Sequence, residues 1–301
     1  MKLSFHLGRI PVQIHPMFFI LAGLLGMNGD PRMLVPWLLV VFVSVMLHEL
    51  GHATTGLAFG LEPRIDLHGM GGTTSWATPK KLSIAQRIAI SLAGPFAGFI
   101  VGAIVFGLAI AGVFPDTPVW TSVVGIVLWV NVGWGVFNLL PVLPLDGGNV
   151  MLQVLHAFTG GRGDRIAHYV SIGVAVLGIA AGYYFQLGWW GAMLALMFIG
   201  TNYQGLQSLK AREHDAPMRD SLQQAYAALD AKDAERVLAL ARPVALESKT
   251  PQVRAEALQL VAFGFLLEGR VADADAAIAA LPKGYAPHPS LLELRAATAR
   301  A

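Results

Sequence analysis

The chain has 301 residues, of which 55% are hydrophobic and 13% charged, with a net charge of +2 and no cysteine. So few charges, against the roughly 25% usual in soluble domains, mark a membrane protein. The scattered basic residues form no stripe interleaved with aromatics, which excludes a nucleic-acid partner, and the lack of thiols excludes disulfides and thiolate metal ligands. Any metal must therefore be held by His, Asp or Glu.

The charges are uneven: residues 1–218 hold 11 Lys/Arg and 9 Asp/Glu, and residues 219–301 hold 10 of each. The reading is a mainly α protein in which a transmembrane domain over 1–210 and a linker over 211–218 precede a small soluble all-α domain over 219–301. The N-terminal "MKLSFHLGRIPVQIHP" lacks the pattern of a cleaved signal peptide, so the first span is expected to stay in the mature protein. Hydropathy gives about six spans, near 13–28, 33–59, 86–113, 119–141, 166–185 and 188–207, each judged against the ~20 apolar residues needed to cross a bilayer. With the N-terminus inside, the inner segments collect Lys2, Arg9, Arg64, Lys80, Lys81, Arg87 and further basic residues, while the outer ones hold only Arg32. The positive-inside rule then places both termini in the cytoplasm, in a plasma-membrane, multi-pass protein.

Within the second span, "VSVMLHELGHAT" (43–54) contains Glu49, the only formally charged residue from Met33 to Leu61. His48 and His52 are spaced i, i+4 and so share one helix face, where both can reach one ion, while Glu49 stands to the side. A histidine in a helix is ordinarily a satisfied core residue. An ionisable group in a span, however, costs about 2.5 kcal/mol or more on insertion scales, so three adjacent ones point to function.

After the second span, "GLEPRIDLHGMGGTTSWATPKK" is too polar and glycine-rich to cross. Alternation at Ile65, Leu67 and Met70 predicts a short membrane-associated β hairpin around a Gly71–Gly72 turn, at the cytoplasmic face. The fourth span ends in "NLLPVLPLDGG" (138–148), where Asp146 is the only formally charged residue between Asp116 and Arg162. Pro141, Pro144, Gly147 and Gly148 break the helix there, and broken backbone at membrane depth is tolerated only where it is buried in protein or lines a watery cavity. A catalytic zinc site typically needs three protein ligands, and Asp146 is the candidate third, unless it merely caps a helix-ending turn. The second and fourth spans both run inward, so the two motifs reach the same leaflet.

The pair of HELGH in a span and, about 90 residues later, NLLPVLPLDGG resembles the site-2 protease family of intramembrane zinc metalloproteases. The likeness extends through "HGMGGTT" and "SLAGPFAGF" and covers roughly residues 1–210, with Gly98 standing where the family often has Asn. It implies one Zn2+ per chain held by His48, His52 and Asp146, with Glu49 as the base. Asn138 would lie beside the site, either bonding the substrate or joining two spans. The reaction it implies is hydrolysis of a peptide bond in or near the transmembrane segment of a membrane-anchored protein at the cytoplasmic side, in regulated intramembrane proteolysis. A non-proteolytic metal-binding transporter or adaptor is the alternative. The stretch around Ile65–Thr74 could offer a strand edge to an unwound substrate.

In the tail, Thr250 as N-cap, Pro251 at the first helical position and Gly269 as a stop predict a helix. "LDAKDAERVLALA" and "LEGRVADADAAIAAL" begin 38 residues apart, at Leu229 and Leu267, a spacing like that of tetratricopeptide-type helical hairpins. Such a domain could take a cytosolic protein or ligand.

Overall fold

The computed structural model describes residues 2–26, 30–78, 80–159, 162–186 and 189–300. It divides into two compact units, Met1–Tyr203 and Gln204–Ala301.

The first unit opens with two strands, β1 (Leu3–Leu7) and β2 (Ile10–Ile14), joined at Gly8 with φ +60°. A short apolar helix, α1 (Pro16–Gly26), leads to α2 (Leu34–Ala58), and the hairpin β3 (Pro63–His68) and β4 (Gly71–Trp76) follows. The four strands form one sheet in chain order, antiparallel except for β2 and β3, which pair in parallel. Ile10, Val12 and Ile14 alternate with Ile65 and Leu67 on one face, buried with Phe18, Val41 and Ala53 of α1 and α2. The parallel pairing has a topological consequence: the start of α1 and the end of α2 lie at the same end of the bundle, beside the sheet.

This sheet corrects two expectations. The N-terminal residues 3–14 are strands, so residues 13 and 14 belong to β2 and not to a span. The hairpin also turns at Gly69–Met70, because Leu67 faces Gly72 and His68 faces Gly71. Gly71 and Gly72 instead open β4, where Gly71 adopts φ +116°, a conformation open to glycine at no steric cost.

Beyond the sheet come α3 (Ile84–Ile110), begun by a Ser83/Gln86 capping box, then α4 (Pro118–Leu128), a π-helical turn (Trp129–Gly133) and α5 (Trp134–Asn138). The chain continues through α6 (Asp146–Thr159), α7 (Gly163–Tyr184) and α8 (Trp189–Asp215), which begins in the first unit and ends in the second. Among the described residues, four helical stretches are long and apolar enough to cross a membrane: Pro31–Ala58, Ile84–Ile110, Pro118–Asn138 and Gly163–Tyr184. The protein is a multi-pass membrane protein. The first expected span is represented by α1, whose 11 residues rise only about 16 Å, with residues 27–29 outside the described set. The sixth falls within α8, whose last two turns are polar; residues 211–215, assigned by sequence to a linker, are helical.

The second unit packs α9 (Met218–Asp230), α10 (Ala234–Glu247), α11 (Pro251–Leu267), α12 (Val271–Ala279) and α13 (Pro289–Thr298) around Leu222, Val237, Ala241, Leu260 and Leu291. Two turns have the same form, a helix end, a left-handed residue and a new helix. Their left-handed residues, Lys232 (φ +58°) and Gly269 (φ +76°), lie 37 positions apart, one fewer than the leucine match suggests.

Asp215, 1% exposed, holds this unit's α8–α9 and α10–α11 connections together. Its carboxylate accepts the N–H groups of Lys249 (2.9 Å) and Thr250 (2.7 Å) and the Thr250 hydroxyl. Thr250 is thus the N-cap residue of α11, but its own side chain serves Asp215. Burial opposes ionisation of Asp215, yet these donors, with His214, outweigh it and hold the carboxyl well below the usual carboxylate range. A depressed folded-state pKa contributes stability that is fully present above about pH 4 and is lost as pH falls further. Asp215→Ala should therefore destabilise the Gln204–Ala301 unit by about 2–3 kcal/mol through its orphaned donors. The difference from wild type, read from thermal unfolding, should shrink below pH 4.

Candidate metal centre

The centre is built from α2 outward. His48 and His52 lie one turn apart on α2, with Nε2 atoms 3.1 Å apart and rings meeting edge to face. From α3, the Ile90 carbonyl accepts a hydrogen bond from Nδ1–H of His52 at 2.6 Å, which leaves the Nε2 lone pair directed at the centre. Asp146, the first residue of α6, places Oδ2 3.1 Å from His48 Nε2 and Oδ1 3.4 Å from His52 Nε2. All three ligand atoms lie within 4.8 Å of one another.

These separations discriminate. Two donors each ~2.0–2.1 Å from one tetrahedral ion stand about 3.3 Å apart, as these do, and two His nitrogens plus one carboxylate are a zinc-type donor set with a position left open. His48, His52 and Asp146 together fit one zinc ion.

Close backbone approach makes the convergence possible. A Cβ on Gly94 of α3 would fall 2.3 Å from His52 Nε2 and 2.7 Å from His48 Nε2, and one on Gly51 would fall 2.5 Å from the Ala93 carbonyl oxygen. The "SLAGPFAGF" segment thus supplies the bare helix surface on which both imidazoles rest. On the other side, a Cβ on Gly147 would strike the Leu139 carbonyl at 2.1 Å, so only glycine lets α6 start against the preceding loop.

Glu49, 5% exposed, points to the same cavity, which has a volume of about 730 Å³ and is lined by His48, Glu49, His52, Asn138 and Asp146. Thr74 of β4 donates its hydroxyl to Glu49 Oε2 at 2.7 Å, and Gly72 leaves room for the carboxylate. The composition and spacing of the motif gave no signal for Thr74; only the fold of the glycine-rich hairpin over α2 brings it there.

The two asparagines of the fourth span divide their surroundings. Asn138 lines the cavity, and among the described residues its amide has no hydrogen-bond partner. Asn131, which sequence reasoning passed over, is 3% exposed in the π-helical turn and donates to Ser44 Oγ of α2 (2.8 Å) and to the Val127 carbonyl (2.9 Å). Asn131 is thus an amide that joins two spans, and its backbone carbonyl lies where a Cβ on Gly98 would approach to 3.0 Å. His68, near the mouth, is occupied in the hairpin: Nδ1 accepts from the Met70 N–H and Nε2 donates to Thr73 Oγ1.

The pattern of peptidase family M50 matches residues 115–180, a segment that contains Asn138 and Asp146. A zinc metalloprotease of Methanocaldococcus jannaschii is 32% identical over 157 residues, 50% of this chain and 44% of that one. The Synechocystis protein sll0528 is 32% identical over 191 residues, 58% of this chain and 49% of that one. In fold, the chain is similar to the site-2 protease from M. jannaschii, with a TM-score of 0.50 and 24% identity over 68% of this chain and 95% of that chain. These likenesses are to zinc metalloproteases over part of the chain and, at 24% identity, to the site-2 protease in fold alone. The chain spans about half the length of the curated relatives it matches.

The geometry predicts how metal binding fails. The purified protein should hold one zinc per chain by elemental analysis. Asp146→Ala should weaken zinc by at least 100-fold in chelator competition. Gly94→Ala should do nearly as much without touching a ligand atom, since its methyl would occupy the space of both imidazoles.

Proposed function

We propose that this protein is an intramembrane zinc endopeptidase that hydrolyses a peptide bond in or near the transmembrane segment of a membrane-anchored protein. The observation that carries this reading is the presence, in one cavity, of three convergent metal donors and a separately anchored carboxylate, Glu49. A binding site alone has no use for the fourth group.

His48, His52 and Asp146 would hold a zinc ion, which would supply Lewis acidity towards water and a peptide carbonyl. Glu49 accepts the proton of the attacking water and delivers it to the leaving amine nitrogen, the general acid–base role. Thr74, bonded to Oε2, fixes the carboxylate and leaves Oε1 for that exchange. The unpartnered amide of Asn138 reaches the substrate backbone or the developing oxyanion. A transmembrane helix conceals its peptide bonds, so the substrate must be extended first. As the last strand of the sheet, β4 offers an open edge beside Glu49 to which an unwound segment can add.

The reading places the site at the cytoplasmic side of the plasma membrane. Both the sheet and the end of α2 lie at the end of the bundle that carries Arg64, Lys80, Lys81 and Arg87. The exposed Tyr183, Tyr184 and Phe185 at the far end of α7 suit the opposite interface. With α1 and α8 as the first and last of six crossings, both termini are cytoplasmic. The membrane domain then covers residues 1–210, and a helical, tetratricopeptide-like domain over 219–301 receives a cytosolic protein or ligand. Cleavage at this face releases a cytosolic fragment, as regulated intramembrane proteolysis requires.

Glu49→Gln tests the reading directly. In proteoliposomes with single-span substrates, the variant should retain its zinc and lose about 10²–10⁴ in turnover; equal cleavage by both proteins would show that Glu49 is not the base. On β4, the Trp76 N–H points away from β3, so Trp76→Pro should abolish cleavage of folded transmembrane substrates while Trp76→Ala retains it, with zinc content unchanged in both; intact cleavage by Trp76→Pro would exclude strand addition.

A further inference from the structure

The chain reaches Asp146 through seven residues without regular structure, from Leu139 to Leu145, although a metal ligand must be held to within about 0.5 Å. One residue in this loop has both backbone polar groups taken by side chains from elsewhere. The Leu143 N–H donates to Ser171 Oγ of α7 at 2.9 Å, and the Leu143 carbonyl accepts from Asn202 Nδ2 of α8 at 2.7 Å.

We propose that Asn202 and Ser171 are positioning residues that set the metal ligand Asp146 by clamping Leu143 from both sides. The proposal rests on the reading of Asp146 as a zinc ligand.

Both clamp residues are fully committed. Asn202, 1% exposed, gives its second N–H to the Phe198 carbonyl (2.8 Å), and its Oδ1 accepts the Nδ1–H of His168 (2.8 Å). Ser171, 0% exposed, donates its hydroxyl to the Ala167 carbonyl at 2.8 Å. Every polar atom of the two side chains is therefore used, which fixes their rotamers and the direction of each bond to Leu143. A buried amide and hydroxyl are costly unless so paired, and an apolar bundle has no packing need for them at this depth.

The link from Leu143 to the ligand is short and stiff. The Leu145 N–H returns to the Val142 carbonyl (2.8 Å), and the Asn149 N–H of α6 takes the Leu145 carbonyl (3.0 Å). A Cβ on Gly148 would fall 2.4 Å from the Val142 carbonyl carbon and 2.5 Å from the Leu143 nitrogen, so the first turn of α6 lies directly on the clamped backbone. Val142 is buried with Ala175, Ala195 and Phe198, so the same two helices also hold the loop by packing. A shift of Leu143 thus carries the first turn of α6, and Asp146 with it, away from His48 and His52.

The experiment measures metal binding, not turnover, on the full-length protein in detergent. Zinc affinity is read by chelator competition, and ligand geometry from the visible absorption bands of the Co2+-substituted protein. Ser171→Ala and Asn202→Leu should each weaken zinc about tenfold, the low end of what outer partners of metal ligands contribute. Each should also shift the Co2+ bands while helical circular dichroism stays at the wild-type level. Wild-type affinity and an unchanged Co2+ spectrum in folded Ser171→Ala would overturn the clamp. That variant removes one hydroxyl only, and it decides the matter should Asn202→Leu fail to fold. Asp146→Ala separates the two claims: wild-type zinc affinity in this variant would sink the metal assignment itself, whereas its loss together with unaffected clamp variants would sink only the clamp.

Discussion

Two imidazoles and two carboxylates stand in a wall of apolar helices, where such groups persist only when they are paired, hydrogen-bonded or bound to a metal. Much of the first unit can be understood as satisfying that demand. His52 needs the Ile90 carbonyl behind it and both imidazoles need a glycine surface before them, which sets the close crossing of α2 and α3 at Gly51 and Gly94. Asp146 needs a broken helix to reach them, which sets the loop between α5 and α6. Glu49 needs a donor that leaves one of its oxygens free, which Thr74 gives from the sheet.

The sheet is the part of the fold with the least obvious purpose in a helical membrane protein. Its geometry explains it. The parallel pairing of β2 with β3 closes the α1–α2 excursion at one end of the bundle, and the antiparallel hairpin then folds β4 back over Glu49. The edge strand of the sheet and the Glu49 carboxylate are thereby held side by side. The sheet is small, but Val12, Ile65 and Leu67 are fully buried, so its register is fixed by the same alternation that packs it on α2.

Several polar side chains in the helices do not face the cavity and still bear on it. Asn131 joins the π-helical turn to Ser44, one turn before His48 on α2. Such π-helical turns recur near functional sites, where the extra residue redirects a side chain. Asn202 and Ser171 grip the loop that bears Asp146. Their hydrogen bonds link α7 and α8 to the centre without adding a charge to it.

The sequence by itself determined which polar residues stand out and the apolar setting in which they do. An i, i+4 pair of histidines beside a glutamate in an apolar run, and a lone aspartate among helix breakers, stand out because lipid tolerates so few charged groups. The helices over 31–58, 84–110, 118–138 and 163–184 were legible for the same reason, within a few residues at each end. What only the tertiary structure decided depends on contacts distant in sequence. The alternation of Ile10, Val12 and Ile14 is too short to announce a strand by itself, and its second neighbour, β3, which packs with it on α1 and α2, lies some fifty residues on. Thr74, Asn131, Ser171 and Asn202 are ordinary polar residues whose roles arise from what faces them: Glu49, Ser44 and Leu143. Gly94 shows the division most clearly, since in the sequence it is one small residue among many, and in the fold it is the space that two imidazoles occupy.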